Sequence, residues 1–417
     1  MFHLSIRIYM DYNATTPFDP EVVSVVTEAL NEAWGNPSSM YLPGLKAKEI
    51  INQSRESVAR MVGAKATDII FTSGGTEANN MVFHSAMEHY WKSSMSAEGG
   101  REENYHVNGK RIIPHIITSN VEHDSVKLVA EHLVQMGKAD VTFLPVSRVT
   151  GRVEVEDVMA ALRPSTCLVS VMLANNETGV IMPIREICQR VKSAKRSPSS
   201  PRILLHTDAA QAIGKIRVDA QELGVDYLTI VGHKFYAPRI GALFANGPGT
   251  MTPLYPLLFG GGQERNFRPG YCMALLAGIA AELVTANLVK DEAHLLDIRL
   301  YLEQRLMTVF GKEKLRFNSH FHGTDTLPNT CNVSILGQGL HGRRVLSTCR
   351  RLLASVGAAC HSDHGDQPSH ILLNCGIPYH VAINALRISV GRGTSREDVD
   401  IVVEDLRDTV ERLEQMN

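Results

Sequence analysis

Two strand ends carry the residues with most chemistry to offer. The apolar run Tyr227-Leu-Thr-Ile-Val-Gly-His-Lys234 ends on a lysine and breaks at Phe235-Tyr-Ala-Pro238, and a second apolar run, Arg202-Ile-Leu-Leu-His-Thr-Asp208, ends on an acid. A hydrated ammonium is a poor nucleophile, whereas a lysine drawn out of water has a lowered pKa and can form a Schiff base with an aldehyde. In an open parallel sheet the carboxyl ends of the strands form the ligand crevice, so Asp208 and Lys234 are expected to face one site. Pyridoxal phosphate (PLP) needs such a pair, a lysine to hold its aldehyde and a carboxylate to keep its ring nitrogen protonated. The competing reading is a strand-end lysine that reaches to solvent.

The elements around these ends alternate. Strand patterns at Ile69–Thr72, His115–Ser119, Val141–Pro145, Cys167–Leu173, Ile203–His206, Tyr227–Val231 and Gly241–Ala245 are interleaved with helical patterns at Asp124–Met136, Val155–Leu162 and Ile184–Lys195. This predicts an α/β fold with a mostly parallel seven-stranded sheet. Helices are expected from Pro20 to Trp34, from about Leu45 to Val62, and from near Glu77. Ser73-Gly-Gly75-Thr76 lies between a strand and that third helix, where backbone N–H groups can approach an anion at the helix's positive end and the Thr76 hydroxyl can join them; an ordinary helix cap is the alternative. Residues 92 to 111, polar and glycine-punctuated, read as an exposed loop. The glycine-rich run Gly260–Gly270 reads as a boundary, giving an arm (1–15), a large domain (16–262) and a smaller α+β domain (263–417). A long helical pattern starts near Met273, and Val399, Val402, Val403, Leu406, Val410 and Leu413 repeat at helical spacing.

Composition narrows the classes. With 417 residues, 44% of them hydrophobic and 21% charged, the chain can bury a large core, and its net charge of −2 gives no footprint for nucleic acid or an anionic membrane. The first residues lead straight into the fold without a signal or transit pattern, and no run reaches the length of a membrane span, so the cytosol is the expected compartment. Seven scattered cysteines without CxxC spacing fit a reducing compartment and argue against a zinc or iron–sulfur site.

The motif His206-Thr-Asp208-Ala-Ala-Gln211, with His233-Lys234 following, resembles the NifS-like, class V group of PLP enzymes, which includes cysteine desulfurases and selenocysteine lyases. The resemblance runs from Tyr9-Met-Asp-Tyr-Asn13-Ala-Thr-Thr-Pro17 to Arg387-Ile-Ser-Val-Gly-Arg392 and implies the PLP-dependent transferase fold of type I. It implies that Lys234 holds PLP, Asp208 pairs with the ring nitrogen, Gln211 and Asn176 hydrogen-bond the ring's phenolic oxygen, and His123 stacks on the ring. Gly75, Thr76 and His233 are implied at the phosphate, Arg387 at the substrate carboxylate with Asn13 and Asp124 on the substrate side, and Cys360 as the catalytic thiol of a long loop before Pro368. A homodimer is implied, in which the partner chain completes each phosphate pocket around Arg268-Pro-Gly270, together with a selenium-accepting protein as a further partner.

Two departures stand out. Tyr271 replaces the threonine of the family's Arg-x-Gly-Thr, which puts the cross-subunit phosphate contact in question, and Ala237 stands where glycine is frequent, with little expected consequence. Asp124 follows Glu122-His123 where desulfurases of this type usually carry lysine, which points to cleavage of the Cβ–Se bond of L-selenocysteine, giving alanine and selenide. The alternatives are a cysteine desulfurase that forms a persulfide on Cys360, and a PLP-fold binding protein without catalysis. Asp124 could also simply begin the helix that follows it.

Overall fold

A computed structural model describes residues 7–97, 106–107, 110–111, 113–198, 200–270, 277–357 and 367–416. Strand β1 (Ile8–Tyr9) opens the chain, and helices α1 (Pro20–Glu32) and α2 (Leu42–Met61) follow. The start of α1 is fixed locally: Pro20 occupies the first turn, where a missing N–H costs nothing, and Asp19 Oδ1 accepts from Glu21 N at 3.0 Å. Strand β2 (Ile69–Thr72) then feeds α3 (Gly75–Ala97), and a short ribbon of β3 (His106–Val107) and β4 (Lys110–Arg111) precedes β5 (His115–Ser119). The alternation continues through α4 (Asp124–Gln135), β6 (Asp140–Leu144), α5 (Val155–Ala161), β7 (Thr166–Ser170), α6 (Ile184–Ser193), β8 (Leu204–Asp208), α7 (Ala220–Leu223), β9 (Tyr227–Val231) and β10 (Gly241–Ala245).

These strands form a seven-stranded sheet in the order β2-β10-β9-β8-β7-β5-β6, parallel except for β10, which runs antiparallel to both β2 and β9. Every residue of β2, β5, β7, β8, β9 and β10 is buried, as expected when helices cover both faces. The mostly parallel α/β sheet read from the sequence is therefore present.

The rest of the chain builds a smaller unit. After α8 (Gly278–Phe310) come β11 (Leu315–Phe317), β12 (Thr330–Ile335), α9 (Gly342–Thr348), β13 (Leu352–Leu353), α10 (His370–Asn374), α11 (Tyr379–Ala382), β14 (Ala385–Ser389) and α12 (Arg396–Gln415). Its antiparallel sheet has the order β11-β12-β14. The helical stripe read from Val399 to Leu413 is the buried face of α12, packed against Leu302 and Leu306 of α8 in a second core. Ala277, Ala280, Ala281 and Val284, by contrast, pack in the core of the large sheet, so α8 is shared by two cores.

One expectation is corrected. The polar stretch 92–111 is not one loop: α3 continues through Ala97, and residues 106–107 pair with 110–111, while 98–105 lie outside the described residues. Lys92, Met95 and Ala97 favour a helix with or without an apolar face, so the missing periodicity did not end it. The N-terminal arm carries β1, which pairs in parallel with β13, and Ile8 and Met10 enter the second core.

Candidate active site

The carboxyl edge of the large sheet holds a cavity of about 240 Å³ whose walls include Asn13, Gly75, Thr76, His123, Asn176, Asp208, Gln211, His233, Lys234 and Arg387. Ten residues singled out in the sequence thus share one space, drawn from the N-terminal arm, five strand ends of the large sheet and the small unit. Asp208 is the last residue of β8, and Lys234 closes the tight turn after β9. The lysine is half-buried. Its Nζ donates to the carbonyl oxygens of Asn13 and Ala14, each at 2.7 Å.

Asp208 is fixed from two sides, accepting from Ala210 N and from Asn79 Nδ2, both at 2.9 Å. Asn79, which sequence reading missed, is fully buried on α3, one turn after Gly75. Its amide also donates to Ser125 Oγ at 2.8 Å and accepts from Thr229 Oγ1 at 2.7 Å. Because Thr229 spends its proton there, it must accept from His206 Nε2 at 3.1 Å, leaving His206 Nδ1 to accept from Ser170 Oγ at 2.8 Å. Burial pulls His206 down to about 4, so this chain of hydrogen bonds is uncharged until it reaches the carboxylate of Asp208. A cue was available in the four-residue spacing of Gly75 and Asn79, which puts both on one helix face.

His123 caps α4. Its Nδ1 accepts from Ser125 N at 3.1 Å, so the ring's N–H sits on Nε2. Ser125 Oγ, accepting from Asn79, turns its own proton toward the same Nδ1 at 2.8 Å. Asp124 is the first helical residue of α4 and is not among the residues lining the cavity, so its carboxylate sits where it favours the helix dipole. Next to it Glu122 is fully enclosed: burial raises it to about 8 despite hydrogen bonds from Ser119 Oγ and Met172 N, and its Oε2 has no partner. His233 is drawn down to about 4 by burial, with Lys234, Arg239 and His123 adding to the effect, and its ring meets Thr15 Oγ1 at 3.1 Å.

The turn before α3 is open at Gly74 and tight at Gly75. The helix starts at Gly75, two residues earlier than expected, and a Cβ on Gly75 would lie 2.5 Å from Val231 Cγ2. A Cβ on Gly241 would lie 2.5 Å from the carbonyl carbon of Gly74. Ala237, by contrast, is buried without strain; the left-handed residue of that turn is Tyr236, with φ of 67°, held by Thr16 Oγ1 on its N–H at 2.7 Å.

Arg387, 1% exposed on β14, reaches the cavity from the small unit. One edge of its guanidinium is engaged, with Nη2 on Asp11 Oδ1 at 2.8 Å and Nη1 on the Asn176 carbonyl at 3.1 Å. Among the described residues its buried Nε has no partner, and neither has Asn176 Oδ1. A cavity walled by Lys234 and Arg387, with an N-terminal helix cup and unsatisfied polar atoms, fits an anionic ligand that carries a carbonyl and polar ring substituents.

Cys360, with Tyr271 and Cys272, lies outside the described residues. The chain on either side of residues 358–366 is tied to the site: Ser355 N and O bond the backbone of Arg387, and Ser369 Oγ donates to Glu177 Oε2 at 2.6 Å, next to Asn176. The five described cysteines, Cys167, Cys188, Cys331, Cys349 and Cys375, are all raised by burial and none lines the cavity. Among the described residues no cluster of His, Cys, Asp and Glu is placed to hold a metal, and no helix is long and apolar enough to cross a membrane.

Comparison with known proteins agrees with this geometry. The model of the family Aminotransferase class-V matches residues 8–97 and 108–402. Selenocysteine lyase of Homo sapiens is 59% identical over 414 residues, covering 98% of this chain and 93% of the relative. Cysteine desulfurase IscS of Methanosarcina thermophila is 37% identical, covering 98% and 93%. Among solved structures, a NifS-like protein superimposes with a TM-score of 0.80 at 28% identity, covering 98% of this chain and 100% of its own. This is the fold of type I PLP-dependent transferases. The match runs through every element that walls the cavity, and the chain belongs to the class V aminotransferase family.

Proposed function

We propose that this chain is a PLP-dependent selenocysteine lyase, converting L-selenocysteine and a reductant to L-alanine and selenide. The observation that carries the reading is the meeting of Lys234, Asp208 and Arg387 in one cavity, an amine, an acid and a carboxylate receptor within reach of a single amino acid bound to its cofactor. Bound PLP supplies an electron sink that labilises bonds at the substrate's α-carbon. Lys234 anchors the cofactor aldehyde and then moves the proton at Cα. Asp208, which accepts from Asn79 Nδ2 and Ala210 N, would pair with the ring nitrogen, and His123 would stack on the ring. Gly75, Thr76 and His233 would hold the phosphate, and Gln211 and Asn176 would hydrogen-bond the ring's phenolic oxygen. The free Nε edge of Arg387 takes the substrate carboxylate with Asn13 beside it, and Asp124 acts near the entrance. Cys360 meets the leaving selenium. As the Cβ–Se bond breaks, Cβ gains a proton, and a thiol reductant supplies the two electrons with which selenium departs as selenide.

The selenium preference is supported by the relatives, since selenocysteine lyases share 58–59% of this chain's residues and the desulfurases 35–37%. A homodimer is supported by the connection from α1 into α2, where Trp34, Met40 and Leu42 are 70, 83 and 66% exposed; large apolar side chains exposed together in this way call for a cover, and a second copy would supply it. A selenium-accepting protein, a cytosolic location and the division into residues 1–15, 16–262 and 263–417 complete the proposal.

Borohydride reduction of the cofactor-loaded protein, followed by peptide mapping, tests it. Label on Lys234, and loss of both label and alanine production in Lys234→Ala, is the expected outcome; label on another lysine would remove the assignment.

A further inference from the structure

Lys215 is a buried lysine that the proposed chemistry does not use. It is 4% exposed, and its Nζ donates only to neutral oxygens, Gln211 Oε1 at 2.8 Å and Asn13 Oδ1 at 2.9 Å. Among the described residues no ion pair reaches it. Burial, reinforced by Lys234 and Arg387, pushes its ammonium well below the usual lysine range. A methionine would fill the same volume without desolvating an amine, so stability does not explain its presence.

Its position does. Gln211 lies one helical turn earlier, lines the cavity, and donates through Nε2 to the Asn13 carbonyl at 3.0 Å, the same oxygen that accepts from Lys234 Nζ. An amide has two donors and two acceptor sites, and its orientation is set by its partners. With Lys215 on Oε1 and Asn13 O on one N–H, the remaining N–H of Gln211 is the one left for the cavity. Asn13 is fixed in the same way: Oδ1 accepts from Lys215 and from Asn329 Nδ2 at 3.0 Å, which turns its Nδ2 to Thr330 Oγ1 at 2.9 Å.

We propose that Lys215 is a positioning residue that locks the amide of Gln211, so that this wall presents an N–H donor, not a carbonyl oxygen, to an oxyanion on the ligand ring. The inference rests on the proposed reading of Lys234 as the cofactor's anchor and of the phenolic oxygen as Gln211's partner. Without Lys215, Gln211 Oε1 is left buried without a donor, a loss that rotation of the side chain relieves, and the N–H aimed at the cavity is lost with it. A donor to the phenolate makes the lysine–cofactor chromophore less basic, so its loss raises the pH at which that chromophore titrates.

The test is an absorbance titration of the cofactor-loaded wild type, Lys215→Met, Gln211→Met and the double variant. We expect each single variant to raise the titration midpoint by about one pH unit and the double variant to raise it no further, because the two act as one unit. An unshifted midpoint in Lys215→Met, additive shifts in the double variant, or a Lys215→Met chain that fails to fold would each overturn the proposal in favour of a structural lysine. A wild type with no lysine-bound chromophore would overturn the reading of the site as well, and is told apart from those outcomes before any variant is made.

Discussion

Two buried arginines, Arg268 and Arg387, look alike in sequence and do opposite things. Arg268, 7% exposed, spends its fork on Glu77, with Nη2 on Oε2 at 3.0 Å and Nη1 on the Pro269 carbonyl at 2.8 Å. Burial alone would raise Glu77, but its hydrogen bonds from Arg268 and from Ser73 N outweigh that and leave it below the usual carboxylate value. The pair closes on itself and braces the start of α3 against the glycine-rich crossing. Arg387 is more deeply buried and lines the cavity, yet only part of its fork is engaged by Asp11 and Asn176, and its Nε has no partner among the described residues. The difference teaches how to separate a brace from a receptor: a buried cation whose donors are spent holds the fold, and one with an edge to spare next to a cavity awaits a ligand.

The sharpest way to break this comparison is Arg387→Lys, which keeps a cation beside Asp11 but removes the planar second edge. Loss of a charge-assisted bidentate contact should lower kcat/KM roughly a hundredfold, mostly through KM, with the melting temperature little changed. Steady-state kinetics that match the wild type would make Arg387 a second brace. Arg268→Ala should behave in the converse way. It strands a buried carboxylate and should cost about 3 kcal/mol of stability in denaturant unfolding while leaving kcat/KM near wild type at saturating cofactor.

A smaller effect separates the titrating groups beneath the site. Glu122 has a folded value near 8 against an ordinary 4.5, so the stability it lends is complete below about pH 4.5 and is lost as pH rises through about 8. Glu122→Gln keeps the acceptor for Met172 N and removes the proton, so the unfolding free energy of the variant should decline less than that of the wild type over that range. Parallel curves would show that Glu122 is ionised throughout.

The parts of this site that were legible in the sequence are those made by strand ends. Lys234, Asp208 and Gln211 sit where an apolar run stops, and the two-residue period of the strands and the βα alternation bring those stops to one edge. Asn79, Asp11 and Lys215 were not read from the sequence, since each meets a distant partner, Asp208, Arg387 and Asn13, which lie 129, 376 and 202 residues away. The local cues are slight: Asn79 and Lys215 follow Gly75 and Gln211 by four residues, and otherwise read as a polar helix residue and a turn lysine. The same holds for β1, a two-residue strand that exists only because β13 lies beside it. Asp124 is distinctive in sequence; it begins α4 and is not among the residues that line the cavity, so any part it plays is at the entrance.

The central claim, cleavage of carbon–selenium bonds in preference to carbon–sulfur bonds, is tested most directly by presenting L-selenocysteine and L-cysteine together to one purified, PLP-loaded sample and following alanine from each. A selenol is far more acidic than a thiol of pKa about 8.5, so selenocysteine arrives as its anion, and its Cβ–Se bond is weaker than the Cβ–S bond of cysteine. The account predicts that alanine forms almost wholly from selenocysteine, that Cys360→Ser abolishes this turnover, and that Asp124→Lys raises the share from cysteine. Comparable alanine from the two substrates in the wild type would contradict it and leave a cysteine desulfurase.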